Sequence, residues 1–205
     1  MNSRPKLVAL AGGSGAGKTW LAARLREILG CPATHLSLDD FYHDQSHLAR
    51  SERERVNYDH PRAIDWRLAQ AVLQSFRDGE SVLMPQYSFK THTRKRTFKT
   101  VRPRPVILVD GLWPWWRPGL RRLFDVRVFV DCPERLRLER RLERDMAARG
   151  RDGGSVRRQF EETVAPMHER FVAPQAEWAD VVLRHPVGRG EVERVAAMIE
   201  GKARA

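Results

Sequence analysis

The chain has 205 residues, 41% of them hydrophobic, and a formal net charge of +11. That is the length of one α/β domain with a proper core and room for a small insertion. No apolar run approaches a membrane span and the opening MNSRPK lacks a signal peptide's apolar middle, so a cytoplasmic protein without a membrane partner is expected.

The two cysteines, Cys31 and Cys132, have no metal-ligand spacing and read as small core hydrophobes. The positive charge invites a polynucleotide, but only six of the 37 basic residues are lysines, a chain-wide arginine habit rather than one selected surface. The densest basic cluster, residues 135–158, interleaves Glu139, Glu143, Asp145 and Asp152, with Glu134 at its edge. Substrate phosphates and solvation account for this charge, and no nucleic-acid partner is expected.

In chain order, residues 7–11 form an apolar strand that runs into Gly12-Gly13-Ser14-Gly15-Ala16-Gly17-Lys18-Thr19 and then a helix over 20–29. Gly12, Gly17, Lys18 and Thr19 have the spacing of a phosphate-binding loop. Its glycines let backbone N–H groups converge on a phosphate, and the helix adds its positive end. Lys18 can reach the outer phosphates and the Thr19 hydroxyl can hold Mg²⁺. The bland alternative, a glycine-rich turn that binds nothing, fits poorly between that strand and that helix.

A second strand over 34–38 ends in Asp39-Asp40, where ligands bind in open α/β sheets. Asp39 follows the strand directly and is the candidate base for a substrate hydroxyl; Asp40 serves equally well as a turn cap. Residues 57–65 are dense in turn-formers, and 66–78 carry helical periodicity closed by Gly79. Strands over 81–87 and 93–101, separated by SFKTH, predict a hairpin whose Tyr87, Phe89 and His92 can line a small polar pocket. From the pattern alone, His92 is as readily a surface residue.

PVILVDG, residues 105–111, is a strand buried on both faces, and Asp110 at its end can hold the metal of a nucleotide site. Trp113, Trp115 and Trp116 fit either a ligand platform or, more simply, a hydrophobic contact under a helix or at a subunit interface. Val126–Asp131 is another strand, and Pro133 starts a helix to about 148. Arg137, Arg140, Arg141 and Arg144 share one face of it, to clamp a phosphoryl group or to pair with glutamates in solvent. Arg149-Gly150-Arg151-Asp152-Gly153-Gly154 then reads as an arginine-bearing lid. A helix over 155–171 with Ser155 as N-cap and Pro166 bending or breaking it, a strand over 181–183 and a helix over 191–199 complete one domain.

The motifs GGSGAGKT, LSLDDFY, NYDHPRAID, PQYSFKTHTR, VDGL, RLERRLERD, RGR and FVAPQAEWADVV, in this order and spacing, resemble the uridine–cytidine kinase family of P-loop kinases, within the uridine kinase and phosphoribulokinase group. The likeness spans the chain from the first strand to about Val182. It implies a three-layer P-loop sandwich with a parallel five-stranded sheet, a protruding β-hairpin at about 81–101, an arginine-rich helical lid at about 141–159, and often a homotetramer. It also implies transfer of a phosphoryl group from ATP or GTP, with Mg²⁺, to the 5′-hydroxyl of uridine or cytidine.

By position, Asp39 resembles the family's base and Asp59 its ribose-gripping carboxylate. Tyr87 and His92 match the residues that hold the pyrimidine, and Arg141, Arg151 and Gln159 match further substrate-side residues. Arg144 and Arg149 match the arginines facing the phosphates. Asp110 departs from the family's usual glutamate, Asp40 from a neutral residue, and the tryptophan cluster and the loose Gly153-Gly154 lid are also unusual. A related kinase acting on nicotinamide riboside, pantothenate or a sugar phosphate, and a basic nucleic-acid-binding P-loop ATPase, are the alternatives.

Overall fold

The computed structural model describes residues 4–201, the side chain of Arg149 excepted. The first half contains β1 (Lys6–Gly12), α1 (Lys18–Ile28), β2 (Ala33–Ser37), α2 (Arg50–Arg55), α3 (Trp66–Arg77), β3 (Val82–Met84), β4 (Tyr87–Ser88), β5 (Thr93–Arg94) and β6 (Lys99–Val101). The second half contains β7 (Val106–Gly111), α4 (Pro118–Arg121), β8 (Val126–Asp131), α5 (Glu134–Arg149), α6 (Gly153–Gln159), α7 (Ala165–Met167), β9 (Val181–Arg184) and α8 (Arg189–Glu200).

The apolar runs became central strands because both their faces are covered. β2, β7, β1, β8 and β9 lie side by side in that order, every neighbouring pair parallel. On one face of the sheet Leu7, Ala9, Ile107, Val109 and Phe129 pack with Phe41, Phe76, Trp113 and Trp115. On the other, Val8, Leu10, Leu108 and Val128 meet Leu21 and Leu25 of α1 and Val195 and Ile199 of α8. The strand order reverses direction at β1, so its C-terminal end opens into the crevice where such sheets bind ligands.

Several local expectations change. The second strand stops at Ser37, and Asp39 and Asp40 sit in a one-turn 3₁₀ helix, Leu38–Phe41, capped by Ser37 Oγ. The hairpin is two short ladders, β3 with β6 and β4 with β5. Two residues separate the ladders on one arm (85–86) and four on the other (95–98), so one continuous register is impossible. Asp152, not Ser155, caps α6: its carboxylate accepts from the Ser155 N–H at 2.8 Å. Pro166 neither breaks nor ends the helix. Wide π turns at Phe160–Val164 and His168–Val172 flank α7 and absorb the missing N–H and the ring.

Trp113 and Trp115 are fully buried, with the Trp115 indole donating to the Gln175 carbonyl at 3.2 Å, so they are core and not a ligand platform. Cys132 is buried, whereas Cys31 is only half-buried at the edge of the core. β2 forms one edge of the sheet, and a groove of about 1170 Å³ alongside it is lined by Arg26, Lys99, Arg102 and Arg104. Among the described residues no helix is long and apolar enough to cross a membrane.

Candidate active site

β1 delivers the chain into the loop at its C-terminal end. Gly15 has φ +81°, and a Cβ there would run into the Arg137 carbonyl. Gly13 needs room rather than a special conformation: a side chain would meet Arg137 and His168, which pack behind the loop. Lys18 Nζ donates to the carbonyls of Gly12 and Gly13, both at 2.9 Å. Burial lowers the Lys18 pKa, with Asp110 and Asp39 opposing. Thr19 Oγ1 donates to Asp110 Oδ2 at 2.8 Å.

Hydroxyl and carboxylate oxygens side by side at a phosphate loop are the hard donors that Mg²⁺ takes, so the residues fit the ion. Among the described residues no group of three His, Cys, Asp or Glu side chains could hold a metal by itself. Burial raises the Asp110 pKa, but His35, Lys18 and Thr19 outweigh it, leaving the carboxyl below its ordinary value and ionised at neutral pH.

In front of the loop lies a cavity of about 320 Å³. Ser14, Gly15, Gly17, Lys18 and Thr19 form its phosphate end, together with Asp110. Asp39, Asp59 and, from the hairpin, His92 line the same cavity. Burial, then the neighbouring Asp110, raises the Asp39 pKa to about 6, against the pull of Lys18. Asp40 contributes least to that shift and turns the other way, accepting the Tyr87 N–H at 3.1 Å and pinning the hairpin. Burial also raises Asp59, opposed by Arg141 and Arg144.

His92 has φ +53°, a left-handed backbone that is uncommon for a residue with a side chain. It stacks on Tyr58 with centroids 4.8 Å apart and planes 18° apart. Tyr87 is not among the residues lining the cavity: it is buried behind the wall against Tyr42, Tyr58 and Phe89. Its place is taken at the surface by Tyr42, Tyr58 and Phe89.

The lid is organised by one buried acid. Asp145 has no exposed side-chain surface, and Arg144 Nε lies 2.9 Å from its Oδ1, with Arg151 Nη1 and Arg141 Nε at 3.6 and 3.7 Å from its Oδ2. Gln159 Oε1 accepts from both Arg141 (3.0 Å) and Arg151 (2.7 Å), and Arg141 also donates to Ser14 Oγ at 3.1 Å. Arg141, Arg144, Arg151 and Gln159 all line the cavity. The Arg149 side chain lies outside the described residues. Arg137 faces away from the cavity, donating from Nε to the Cys132 carbonyl.

A further opening of about 450 Å³ lies beside Ala16 and Gly17, lined by Trp20, Leu21, Arg140 and the His185–Val187 turn. Arg140 borders both spaces and donates to the Gly15 carbonyl at 3.3 Å. Trp20 is 46% exposed there, which the helical pattern after Lys18 does not reveal. Asp145, Tyr58 and Trp20 were missed as site residues, although Asp145 is four residues after Arg141 and next to Arg144, a spacing that marks an intrahelical pair.

A family model described as the phosphoribulokinase/uridine kinase family matches residues 7–189. The uridine kinase of Chloroflexus aurantiacus is 39% identical over 210 residues, covering 100% of this chain and 99% of that protein. The uridine kinase of Shewanella amazonensis is also 39% identical, over 97% of this chain and 95% of its own length. Among solved structures, D-glycerate 3-kinase from Cryptococcus neoformans aligns with a TM-score of 0.65 at 17% identity, over 90% of this chain and 88% of that one. Phosphoribulokinase from Rhodobacter spheroides aligns with a TM-score of 0.65 at 13% identity, over 88% and 70%. Those two share the fold alone.

Proposed function

This chain belongs to the phosphoribulokinase/uridine kinase family, and on that premise we propose that it transfers the γ-phosphate of ATP or GTP to the 5′-hydroxyl of uridine or cytidine. The observation that carries the reading is one cavity lined by the phosphate loop, Asp39, Asp59, Asp110 and the arginines Arg140, Arg141, Arg144 and Arg151.

The loop and Lys18 receive the donor's phosphates, and the space beside Trp20, Arg140 and Pro186 suits its base, next to the start of α1. Thr19 and Asp110 would hold Mg²⁺, which supplies charge neutralisation on the outer phosphates. Asp59 is available to the ribose hydroxyls, and the Tyr58–His92 stack offers the base a planar wall. Asp39 then orients the 5′-hydroxyl and accepts its proton as the hydroxyl oxygen bonds the γ-phosphorus and the bond to the departing nucleoside diphosphate breaks. Phosphoryl transfer is loose, so positioning and charge outweigh deprotonation. Arg141, Arg144 and Arg151 put fixed positive charge where the transferring group passes, pre-set by Asp145 so that little reorganisation is left for the reaction.

The test is a magnesium-dependent assay with ATP that offers uridine, cytidine and nicotinamide riboside in parallel. Formation of uridine or cytidine 5′-monophosphate is expected. Phosphorylation of nicotinamide riboside alone would move the acceptor assignment to a neighbouring kinase class. Tetramer formation is the further expectation, measured by light scattering on the purified chain.

A further inference from the structure

The metal-side carboxylate has a partner that neither the loop motif nor the catalytic scheme uses. His35 Nε2 lies 3.2 Å from Asp110 Oδ2, the same oxygen that accepts from Thr19, an approach that stops short of hydrogen-bond alignment and leaves the buried Nε2 without another partner among the described residues. The contact follows from register: in the parallel pairing of β2 with β7, Ser37 is opposite Asp110 and His35 is opposite Leu108. Alternation puts His35 on the same face as Ser37. An imidazole is long enough to lean one step along the strand and meet the carboxylate. The pair is secluded, with Asp110 6% and His35 22% exposed at the side chain. Among the described residues Oδ1 of Asp110 has no hydrogen bond, so both neighbours gather on one oxygen and the other is left open.

We propose that His35 is a positioning residue for the metal site: a small turn of its ring brings Nε2–H onto Oδ2 of Asp110, fixing the carboxylate's rotamer and leaving Oδ1 to the ion. Aspartate is one methylene shorter than glutamate and has a freer choice of tilt at the mouth of the loop. A donor fixed on the adjacent strand removes that freedom. Such outer partners of ligating carboxylates typically hold about 10- to 100-fold of metal affinity. The geometry explains why a short acid suffices at this strand end. It also explains why a histidine occupies an edge strand beside a basic groove, where no other role for it is evident.

The inference rests on the kinase reading only in that the loop binds a metal–nucleotide pair, so its test uses no acceptor. Mn²⁺ binding to the full chain saturated with ADP is followed by paramagnetic resonance, and metal-free ADP affinity is followed by calorimetry. His35→Ala should weaken Mn²⁺ binding about tenfold or more and leave metal-free ADP binding unchanged. His35→Gln, which keeps a donor near the Nε2 position, should restore most of the loss. In an Asp110→Glu background, where the longer acid reaches by itself, His35→Ala should cost little. If His35→Ala melts early, His35→Leu, which fills the space without a donor, is measured in its place. Unchanged Mn²⁺ affinity, no recovery in His35→Gln, or an equal loss in the Asp110→Glu background would each overturn the proposal. Failure of uridine and cytidine as acceptors would leave all of these readings intact.

Discussion

Asp39 is held in a state that costs the fold something and serves the reaction. Its pKa of about 6 stands above the ordinary 3.8 because burial and the nearby Asp110 disfavour its charge. The acid limb of kcat/KM for the nucleoside should therefore fall near pH 6, activity rising as Asp39 ionises. Asp39→Asn should lower kcat by about 10²–10⁴-fold with little change in nucleoside KM. Between pH of about 4 and 6 the folded protein keeps a proton that the unfolded chain has released, so this group's contribution to stability falls as pH rises through that window and stays lost above it. Asp39→Asn should consequently melt higher than the parent at neutral pH, by about 2–4 °C for each kcal/mol relieved, and the gap should close below pH of about 4. An Asn variant that melts lower at neutral pH would mean the carboxylate is a structural bond instead.

At this scale the loop residues and the pair Asp39 and Asp110 were legible, because strand ends and glycine spacing announce them. Tyr87 and Asp145 were not: alternation cannot tell which ring of an aromatic cluster reaches the cavity, and a carboxylate among arginines looks the same whether solvated or buried.

The hairpin and the lid are the two elements that shape the acceptor side. Arg94 ties the hairpin to the turn that bears Asp39, donating to the Tyr42 and Phe41 carbonyls at 2.8 and 3.2 Å and to Asp65 Oδ2 at 3.2 Å. Arg94→Ala should raise nucleoside KM well before it lowers kcat, since the hairpin would lose its register against Asp59 while the loop stays intact. A matching rise in the KM for ATP would refute this. In the lid, Gln159 and Asp145 play separable parts. Gln159→Ala frees Arg141 and Arg151 at their tips and should affect kinetics alone. Asp145→Ala takes the acid away from Arg141, Arg144 and Arg151 and should cost about 3–5 kcal/mol, visible as a lower denaturant midpoint. The existence of both elements could be read from the sequence. The break in the hairpin could not, since it depends on arms of unequal length around Pro85, and neither could the π turns by which the helix carries Pro166.

For the whole molecule, periodicity identified all five strands of the sheet, and the three inner ones most plainly, because strands buried on both faces are continuous apolar runs. It did not identify the core role of GLWPWW, whose burial depends on Gln175, 60 residues after Trp115, and on Trp178. Trp115→Ala should cost about 3–5 kcal/mol with kcat unchanged at temperatures where the variant is folded, checked by urea titration beside the assay. The charge of +11 is partly spent inside the site, so polynucleotides should not stimulate ATP hydrolysis. A stimulated rate would point to a nucleic-acid surface.

The groove along β2 bears on a different matter, how the protein survives at high concentration. An open sheet edge is a template on which another chain can zip up, and here it is overlooked by Arg26, Lys99, Arg102 and Arg104. Two copies approaching edge to edge would bring eight such cations into one seam against the four carboxylates of Glu27 and Asp40, an excess of like charge. That repulsion is a solubility device, and it works only while salt is low enough for the charges to feel one another.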